Sequence, residues 1–279
     1  MNYFKTLALL LIWLTFGCSQ DTSNNSSQAL QDIIDSYQDR ESYDKEKYRL
    51  GLYTKEYYKN EAEFAQLKLE ELNKVKAEDL SETDQISLEL LQFVLQDEVN
   101  YYEYERYLNP ILSDAGFHSS LTYQVRPITN HKQAVDYLKK LNCIPEFVDQ
   151  HFVILREALE KGVSQPRVIF NGYESTYDDH IVDNFEDSFY YSPFKNLPSD
   201  LTETQKDSIL TAAKQTIETN VTPQFKRIKE FFETEYLPKT RTTLGASAMP
   251  NGDALYQERI NYYTTSTQYT ADDLSLIHI

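Results

Sequence analysis

The sequence predicts a mostly α-helical protein with little or no β-structure, and three observations support this fold class. Glycine is scarce, at seven of 279 residues, which disfavours β-rich folds and the glycine loops that bind nucleotides. Strand-like patterns are weak, and the best of them covers only Arg167–Phe170. Apolar side chains instead recur at helical spacing along the chain. One such set consists of Tyr53, Tyr57, Phe64, Leu67 and Leu72.

The first helices are expected over Ala29–Tyr37 and Asp44–Lys76, because apolar and polar residues alternate there at helical spacing. A third helix is expected over Glu82–Tyr107, where Ser81 can act as the N-cap. The Asn-Pro pair that follows ends this helix, since proline lacks an amide hydrogen and restricts the residue before it. One face of the third helix carries Ile86, Leu90, Phe93, Val94 and Val99.

The second half of the chain alternates loops with longer helices. Leu112–Pro127 contains Gly116 and is expected to form an irregular loop, and Gly172–Pro198 is a loop-rich aromatic stretch. Pro145 suits the first turn of a helix, and Gly162 suits a helix end. The helices expected here cover His131–Leu141, Pro145 to about Lys161, and Thr202–Tyr236, the last with a bend near Pro223 and an end at Pro238.

The N-terminus has the pattern of a secretory signal. A positive charge precedes the nearly unbroken apolar run Leu7–Phe16, which is shorter than the ~20 residues of a membrane span. Cys18 stands at the junction with a polar stretch and resembles the lipidated cysteine of a bacterial lipoprotein, although Thr15 occupies a position where leucine is usual. We predict a signal peptide over residues 1–17 and a lipidated, flexible tether over residues 18–28. The alternative is a plain secretory signal with an incidental cysteine.

Charge and cysteine content restrict the partners of the chain. The net charge of −17 argues against nucleic-acid binding, because phosphate recognition needs a basic surface. It also argues against a basic membrane patch, so membrane attachment is expected through the lipid on Cys18. Once Cys18 is lipidated, Cys143 alone remains, and neither an intrachain disulfide nor a cysteine metal site can form. The expected location is the bacterial cell envelope, at the periplasmic face or the outer membrane.

Several short motifs follow one another in a specific order. Their segments are Asp136–Leu141, Ile144–Gln150, Leu155–Gly162, Gln165–Val168, Val221–Pro223, Glu235–Pro238, Pro250–Tyr256 and Tyr262–Thr265. In this order and spacing they resemble the DUF885 family of bacterial proteins. The resemblance covers about residues 28–273, and it depends on the whole series because no single motif is distinctive.

The resemblance implies a helical array similar to the N-terminal part of helical zinc metallopeptidases. The family's metal motif resembles His-Glu-x-x-Pro-Gly-His, in which imidazoles bind zinc and the glutamate activates a water molecule. This sequence contains no His-Glu pair, which argues against catalysis by this chain. We therefore predict that residues 29–273 form an incomplete DUF885-like domain without its catalytic C-terminal part. No catalytic residue, metal ligand or cofactor is assigned to this chain, and zinc is expected in the full-length protein.

The last six residues, Leu274–Ile279, correspond to one reading frame of a transposon mosaic end used in sequencing libraries. We predict that they are a non-native tail and that the native sequence is interrupted after Asp273. His278 is accordingly not counted as a ligand. The alternative is a natural apolar tail, which an authentic stop codon after Ile279 would establish.

Three groups of side chains are candidates for a site: tyrosines near the C-terminus, the histidines, and an acidic segment. Asn251 and Gly252 predict a tight turn, and the tyrosines of the next segment can either pack or border a substrate cleft that the remaining half completes. These tyrosines are Tyr256, Tyr262 and Tyr263. The histidines lack the close spacing of a helical metal pair. Asp178, Asp179 and His180 could bind a cation, although a solvated loop is the simpler interpretation.

The resemblance and the signal together predict an envelope-anchored, zinc-dependent peptidase that acts on peptides in its full-length form, of which this chain is an inactive N-terminal part. The alternative is a non-enzymatic envelope lipoprotein that binds peptides or glycans. A native His-Glu motif beyond Asp273 would distinguish the two.

Overall fold

The computed structural model describes residues 25–111 and 115–276, with the side chains of the last two left out. The predicted signal peptide and Cys18 lie outside the described residues. Within these ranges the chain is helical with connecting loops and has no β-strand, which confirms the predicted fold class. The strand-like segment Arg167–Phe170 is a 3-10 helix, and an isolated parallel bridge joins Pro166 to Arg241.

The helices are numbered in chain order. They are α1 (residues 25–38), α2 (Lys55–Leu72), α3 (Glu82–Glu103), α4 (His131–Leu141), α5 (Ile144–Glu160), α6 (Ser175–Asp178), α7 (Glu203–Thr216), α8 (Thr222–Glu230), α9 (Gly252–Thr264) and α10 (Ala271–Leu276). Two π-helical segments, Ile217–Val221 and Phe231–Tyr236, flank α8. Short 3-10 helices occur in several of the connections.

The chain divides into two compact units. The described part of unit 1 consists of residues 25–42 and 58–103, which include α1, most of α2 and all of α3. Its core is a layer of aliphatic side chains from these helices and from the turn before α3. Members of this core are Leu30, Ile33, Ala65, Leu69, Leu72, Leu80, Leu88, Leu91, Leu95 and Val99.

The buried face of α3 differs from the face that the spacing predicts. Leu88, Leu91 and Leu95 are buried together with Val99, whereas Ile86 is 66% exposed and Leu90 is 60% exposed. Apolar residues stand on two sides of this helix, so two regular stripes can be drawn from the sequence. The stripe that starts at Leu88 includes three leucines that pack against α1 and α2. Tertiary packing therefore determines which of the two stripes is buried.

The helix predicted over Asp44–Lys76 begins later, at Lys55. Gly51 has a φ of +102°, a conformation that interrupts a helix, and a Cβ atom there would lie 2.6 Å from the ring of Tyr53. Thr54 then caps α2, because its hydroxyl oxygen accepts a hydrogen bond from the amide of Tyr57 at 3.1 Å. The spacing from Tyr53 onward is helical, but the turn chemistry before it stops the helix from extending backward.

The described part of unit 2 consists of residues 43–57, 104–111 and 115–276, with a core rich in aromatic rings. Phe152 of α5 stacks on Phe231 with ring centroids 4.3 Å apart, and Tyr177 of α6 stacks on Phe232 at 5.8 Å. Both phenylalanines lie in the π-helical segment after α8. This segment therefore supplies the rings against which α5 and α6 pack.

The long helix predicted over Thr202–Tyr236 is present, and π-helical segments interrupt it. Thr202 and Gln205 form a complete capping box at its start. Pro223 lies in the first turn of α8, directly after the π-helical segment that ends at Val221. Proline cannot donate a backbone hydrogen bond, and its ring crowds the preceding turn. The π-helical turn before Pro223 is wider than an α-helical turn and accommodates the ring, where the sequence predicts a bend.

Candidate functional site

The turn before α9 forms, and Asn251 makes it in place of Gly252. Asn251 has the left-handed conformation, with a φ of +56°. Gly252 is required for a different reason: a Cβ atom there would lie 1.8 Å from the backbone oxygen of Ala246. The sequence predicts the turn correctly, but the close approach of the two backbone segments is visible only in the folded chain.

The three tyrosines predicted to border a cleft all lie on α9. Tyr256 is 46% exposed and Tyr263 is 78% exposed, and their separation of seven residues places them on the same helix face. Tyr262 is half-buried and contacts Tyr263 edge to face, with ring centroids 5.3 Å apart. The guanidinium of Arg259 lies over the ring of Tyr262 at 4.4 Å. The helix thus presents two exposed rings, and the guanidinium of Arg259 lies near one of them, Tyr263, at 5.9 Å.

Unit 2 also brings the family-like motifs into contact. Arg156 donates two hydrogen bonds to the carboxylate of Glu235, each 2.8 Å long, which joins the motif on α5 to the motif that ends at Pro238. Arg167 donates to the hydroxyl oxygen of Thr240 at 2.8 Å. Sequence spacing cannot reveal these pairs, because each joins residues more than 70 positions apart. Their role in the described structure is to fix the helices relative to one another.

Buried histidines form a second cluster, in the aromatic core of unit 2. The ring of His151 stacks on Phe117 with centroids 4.5 Å apart, and its Nδ1 donates to the backbone oxygen of Phe147 at 2.8 Å. His118 is fully buried, and its Nε2 lies 2.8 Å from the hydroxyl oxygen of Thr176. That hydroxyl donates to the backbone oxygen of residue 173, so Nε2 of His118 must carry the proton.

Burial keeps these histidines neutral. It lowers the pKa of His118 to about 3 and that of His151 to about 4 from an ordinary value of 6.5. Burial also lowers the pKa of His180. Nδ1 of His118 and the hydroxyl of Tyr173 have no hydrogen-bond partner among the described residues. Both atoms lie beside Gly116, where any larger residue would collide with the tyrosine hydroxyl.

The described residues do not fit a zinc ion. Across residues 25–111 and 115–276, no three histidine, cysteine, aspartate or glutamate side chains come together as ligands. His180 packs against the ring of Phe225 with centroids 4.6 Å apart, and the carboxylate of Asp178 accepts a hydrogen bond from Lys229 at 2.8 Å. The acidic segment before His180 is therefore held by packing and by an ion pair.

A groove of about 220 Å³ runs beside α5, and we call it the α5 groove. Gln150 holds its wall in place, because its side chain accepts from the amide of Tyr53 at 2.6 Å and donates to Glu146 at 3.0 Å. Lys55 and Glu157 form an ion pair of 2.8 Å at the groove. The lining residues are Tyr53, Thr54, Lys55, Glu146, Asp149, Gln150, Val153, Ile154 and Glu157. Carboxylates beside apolar side chains suit a ligand that carries a positive charge.

Comparisons with known proteins give a family and a fold. The model of the family described as "Bacterial protein of unknown function (DUF885)" matches residues 37–277. A crystal structure described as that of a "putative lipoprotein" from Colwellia psychrerythraea has a TM-score of 0.65 to this chain at 16% sequence identity. The match covers 90% of this chain and 47% of that chain, so this chain spans about half the length of its structural neighbour. No protein of curated function matches the chain.

The helices were also compared with the requirements of a membrane span. In the part of the chain that the structure describes, none of them is both long enough and apolar enough to cross a bilayer. The apolar run Leu7–Phe16 lies outside that part.

Proposed function

Because this chain belongs to the DUF885 family of bacterial proteins, we propose that it is the N-terminal helical module of a lipid-anchored envelope protein whose full-length form is a zinc-dependent peptidase. The half-length match to the Colwellia psychrerythraea structure supports the part of this proposal that makes the chain a module of a longer protein. Its fold corresponds to this chain over 47% of its length, so the fold occurs within a longer protein. The description of that neighbour as a lipoprotein and the cysteine at position 18 support the anchor.

The contribution of this chain to the reaction would be positional. The described residues provide no ligand set for zinc, so we assign no chemical step to them. The exposed rings of Tyr256 and Tyr263 would form one border of the substrate cleft, with Tyr262 behind them. Tyrosine suits such a border, because its ring packs against apolar groups while its hydroxyl hydrogen-bonds to a peptide.

Peptide turnover tests the proposed activity. The full-length protein should hydrolyse unstructured peptides, lose this activity with a chelator and regain it with zinc, while the present chain should be inactive. Tyr263→Phe in the full-length protein should lower turnover by about 3-fold or more, in keeping with the loss of one hydrogen bond. Tyr123→Phe is the matched control, since Tyr123 is 71% exposed and lies elsewhere in unit 2. Equal turnover of the two variants would remove Tyr263 from the cleft.

Globomycin tests the proposed anchor. Treated cells should accumulate the unprocessed precursor, and Cys18→Ser should move the protein from the membrane fraction to the soluble fraction. An unchanged membrane fraction for the Cys18→Ser variant would show that the lipid is not the attachment.

The α5 groove favours a second function, which is the capture of peptides without turnover. Glu157 and Asp149 are paired with lysine and arginine side chains of this chain. The carboxylate of Glu146 would therefore bind the ammonium group of a lysine side chain or of a peptide N-terminus, and Val153 and Ile154 would contact an apolar neighbour. Lysine-containing tripeptides should bind the purified chain in calorimetry, and Glu146→Gln should weaken binding. Glu160→Gln, on an exposed position of the same helix, is the control. Equal affinities for lysine-containing and aspartate-containing tripeptides would contradict this function.

A further inference from the structure

Helix α9 is attached to its own unit by little apolar burial. Among the described residues of α9, Ile260 is the only one with a buried apolar side chain. Glu258 is also buried, with a bidentate ion pair to the adjacent Arg259. A helix of 13 residues that buries so little apolar side-chain surface gains little stability from apolar burial in its own unit.

Beside Ile260, the same helix carries an exposed aromatic patch, which we call the α9 face. It consists of Tyr256, Arg259, Tyr263 and the nearby Tyr269. The side chain of Gln257 donates to the backbone oxygen of Tyr269 at 2.7 Å, which holds this last tyrosine against the helix. Tyr269 is 45% exposed. Exposed aromatic rings gathered in this way mark interaction surfaces.

The chemistry of the α9 face matches that of protein interfaces. Tyrosine and arginine are the residue types most enriched among the side chains that contribute most to binding. The guanidinium of Arg259 lies 4.4 Å from the ring centre of Tyr262 and 5.9 Å from that of Tyr263. These stacked groups are already ordered, so little conformational freedom would be lost when a partner covers them.

We propose that the further half of the full-length protein docks at the α9 face, so that its rings lie where the two halves meet and border the substrate cleft, an inference that rests on the proposed function. The structural neighbour contains about as much chain outside the match as within it. In the sequence, α9 and α10 are the helices nearest to the end of the family match at residue 277. Consecutive elements of a chain usually lie side by side, so the segment that follows would reach this face first.

Photocrosslinking in the full-length protein tests this docking. Tyr263→p-benzoylphenylalanine should crosslink, on irradiation, to peptides that follow residue 273 in the full-length sequence. The same replacement at Tyr123 is the matched control, because that tyrosine is also exposed and lies in the same unit. We expect at least a 10-fold higher crosslink yield to the further half from position 263. Equal yields, or crosslinks from position 263 only to other proteins or within residues 25–276, would overturn the proposal.

Amide exchange gives a second readout that needs no substitution. The amides of residues 256–264 should exchange at least 10-fold more slowly in the full-length protein than in the present chain. Equal rates would contradict docking on α9, even if the substituted protein fails to fold.

Zinc content and peptide turnover of the unsubstituted full-length protein separate this inference from the proposed function. If the full-length protein binds zinc and hydrolyses peptides but position 263 does not crosslink, only the proposed docking surface is wrong. A crosslinked protein without zinc or turnover overturns the peptidase alone. A native gene that encodes no further half overturns both.

Discussion

At the scale of single residues, unit 2 buries histidines that must stay neutral. His118 donates from Nε2 to Thr176 and His151 donates from Nδ1 to the backbone of Phe147, so each ring uses one hydrogen and keeps one lone pair. Protonation would place a charge in an aromatic core, where it is poorly solvated. The stability of the unit should therefore depend on pH.

The sign of this dependence follows from the lowered pKa of His118. In the unfolded chain His118 takes up a proton near pH 6.5, and in the folded chain only near pH 3. Its contribution to the free energy of unfolding is therefore complete above pH 6.5 and is lost as the pH falls toward 3. Between pH 6.5 and about 4.5 the free energy of unfolding should fall by about 2–3 kcal/mol because of this residue. His118→Leu should remove most of this part of the pH dependence, as measured by urea unfolding at several pH values.

His131→Leu is the control for this experiment, because His131 is exposed at the start of α4. It should keep the pH dependence of the original protein. An identical slope for His118→Leu and His131→Leu would show that His118 is not buried in its neutral form.

Gly252 should be irreplaceable for a steric reason. Gly252→Ala would force the new methyl group against the backbone oxygen of Ala246, so the start of α9 must shift, and we expect a loss of about 2 kcal/mol or more. Gly245→Ala is the matched control, since its Cβ would lie 3.3 Å from the movable hydroxyl of Ser247. Thermal unfolding should show a marked decrease for the first variant and a small one for the second. Equal decreases would contradict the close approach at Gly252.

At the scale of helices, α3 shows which part of the fold the sequence can predict. The existence of this helix and its cap at Ser81 follow from local chemistry, and the amide of Asp84 donates to the Ser81 hydroxyl oxygen at 3.2 Å. The predicted end at Tyr107 is wrong, because the helix ends at Glu103 and Glu105 has the left-handed conformation, with a φ of +50°. The buried face of α3 cannot be predicted from local chemistry, because the helix has two apolar stripes. The contacts with α1 and α2 determine which stripe is buried. The same holds for the π-helical segments around α8, which depend on the packing of Phe231 and Phe232.

Substitutions on the two stripes of α3 test this assignment. Leu95→Ala should lower the free energy of unfolding by about 2–5 kcal/mol, because Leu95 is fully buried. Leu90→Ala should change it by about 0.5 kcal/mol or less, because that side chain is 60% exposed. Chemical unfolding followed by circular dichroism measures both values. A larger loss for Leu90→Ala would mean that the predicted stripe is the buried one.

At the scale of the whole molecule, the sequence predicts the family and the helical fold class, and both are confirmed. The family prediction depends on the order and spacing of the motifs, whereas the long-range pairs between their residues, such as Arg156 with Glu235, are visible only in the folded chain. The candidate site is less predictable. Tyr256, Tyr262 and Tyr263 can be named from the motif, but their exposure depends on what else packs against α9.

The lipid anchor at Cys18, the non-native tail over residues 274–279 and the zinc of the full-length protein stay predictions. Cys18 lies outside the described residues, the zinc would lie in chain beyond the present sequence, and the backbone of residues 274–276 in α10 does not show whether the tail is native. Residues 25–111 and 115–276 form a scaffold with exposed faces, and the proposed zinc chemistry of the full-length protein would need ligands that these residues do not group together.

The central claim is that this chain provides part of the fold and that only the full-length protein binds zinc. Metal content tests this claim most directly. Both proteins would be purified in the presence of zinc, passed through a desalting column and analysed by inductively coupled plasma mass spectrometry. The full-length protein should retain zinc in stoichiometric amount, and the present chain should retain none. Stoichiometric zinc on the present chain, or none on the full-length protein, would contradict the account.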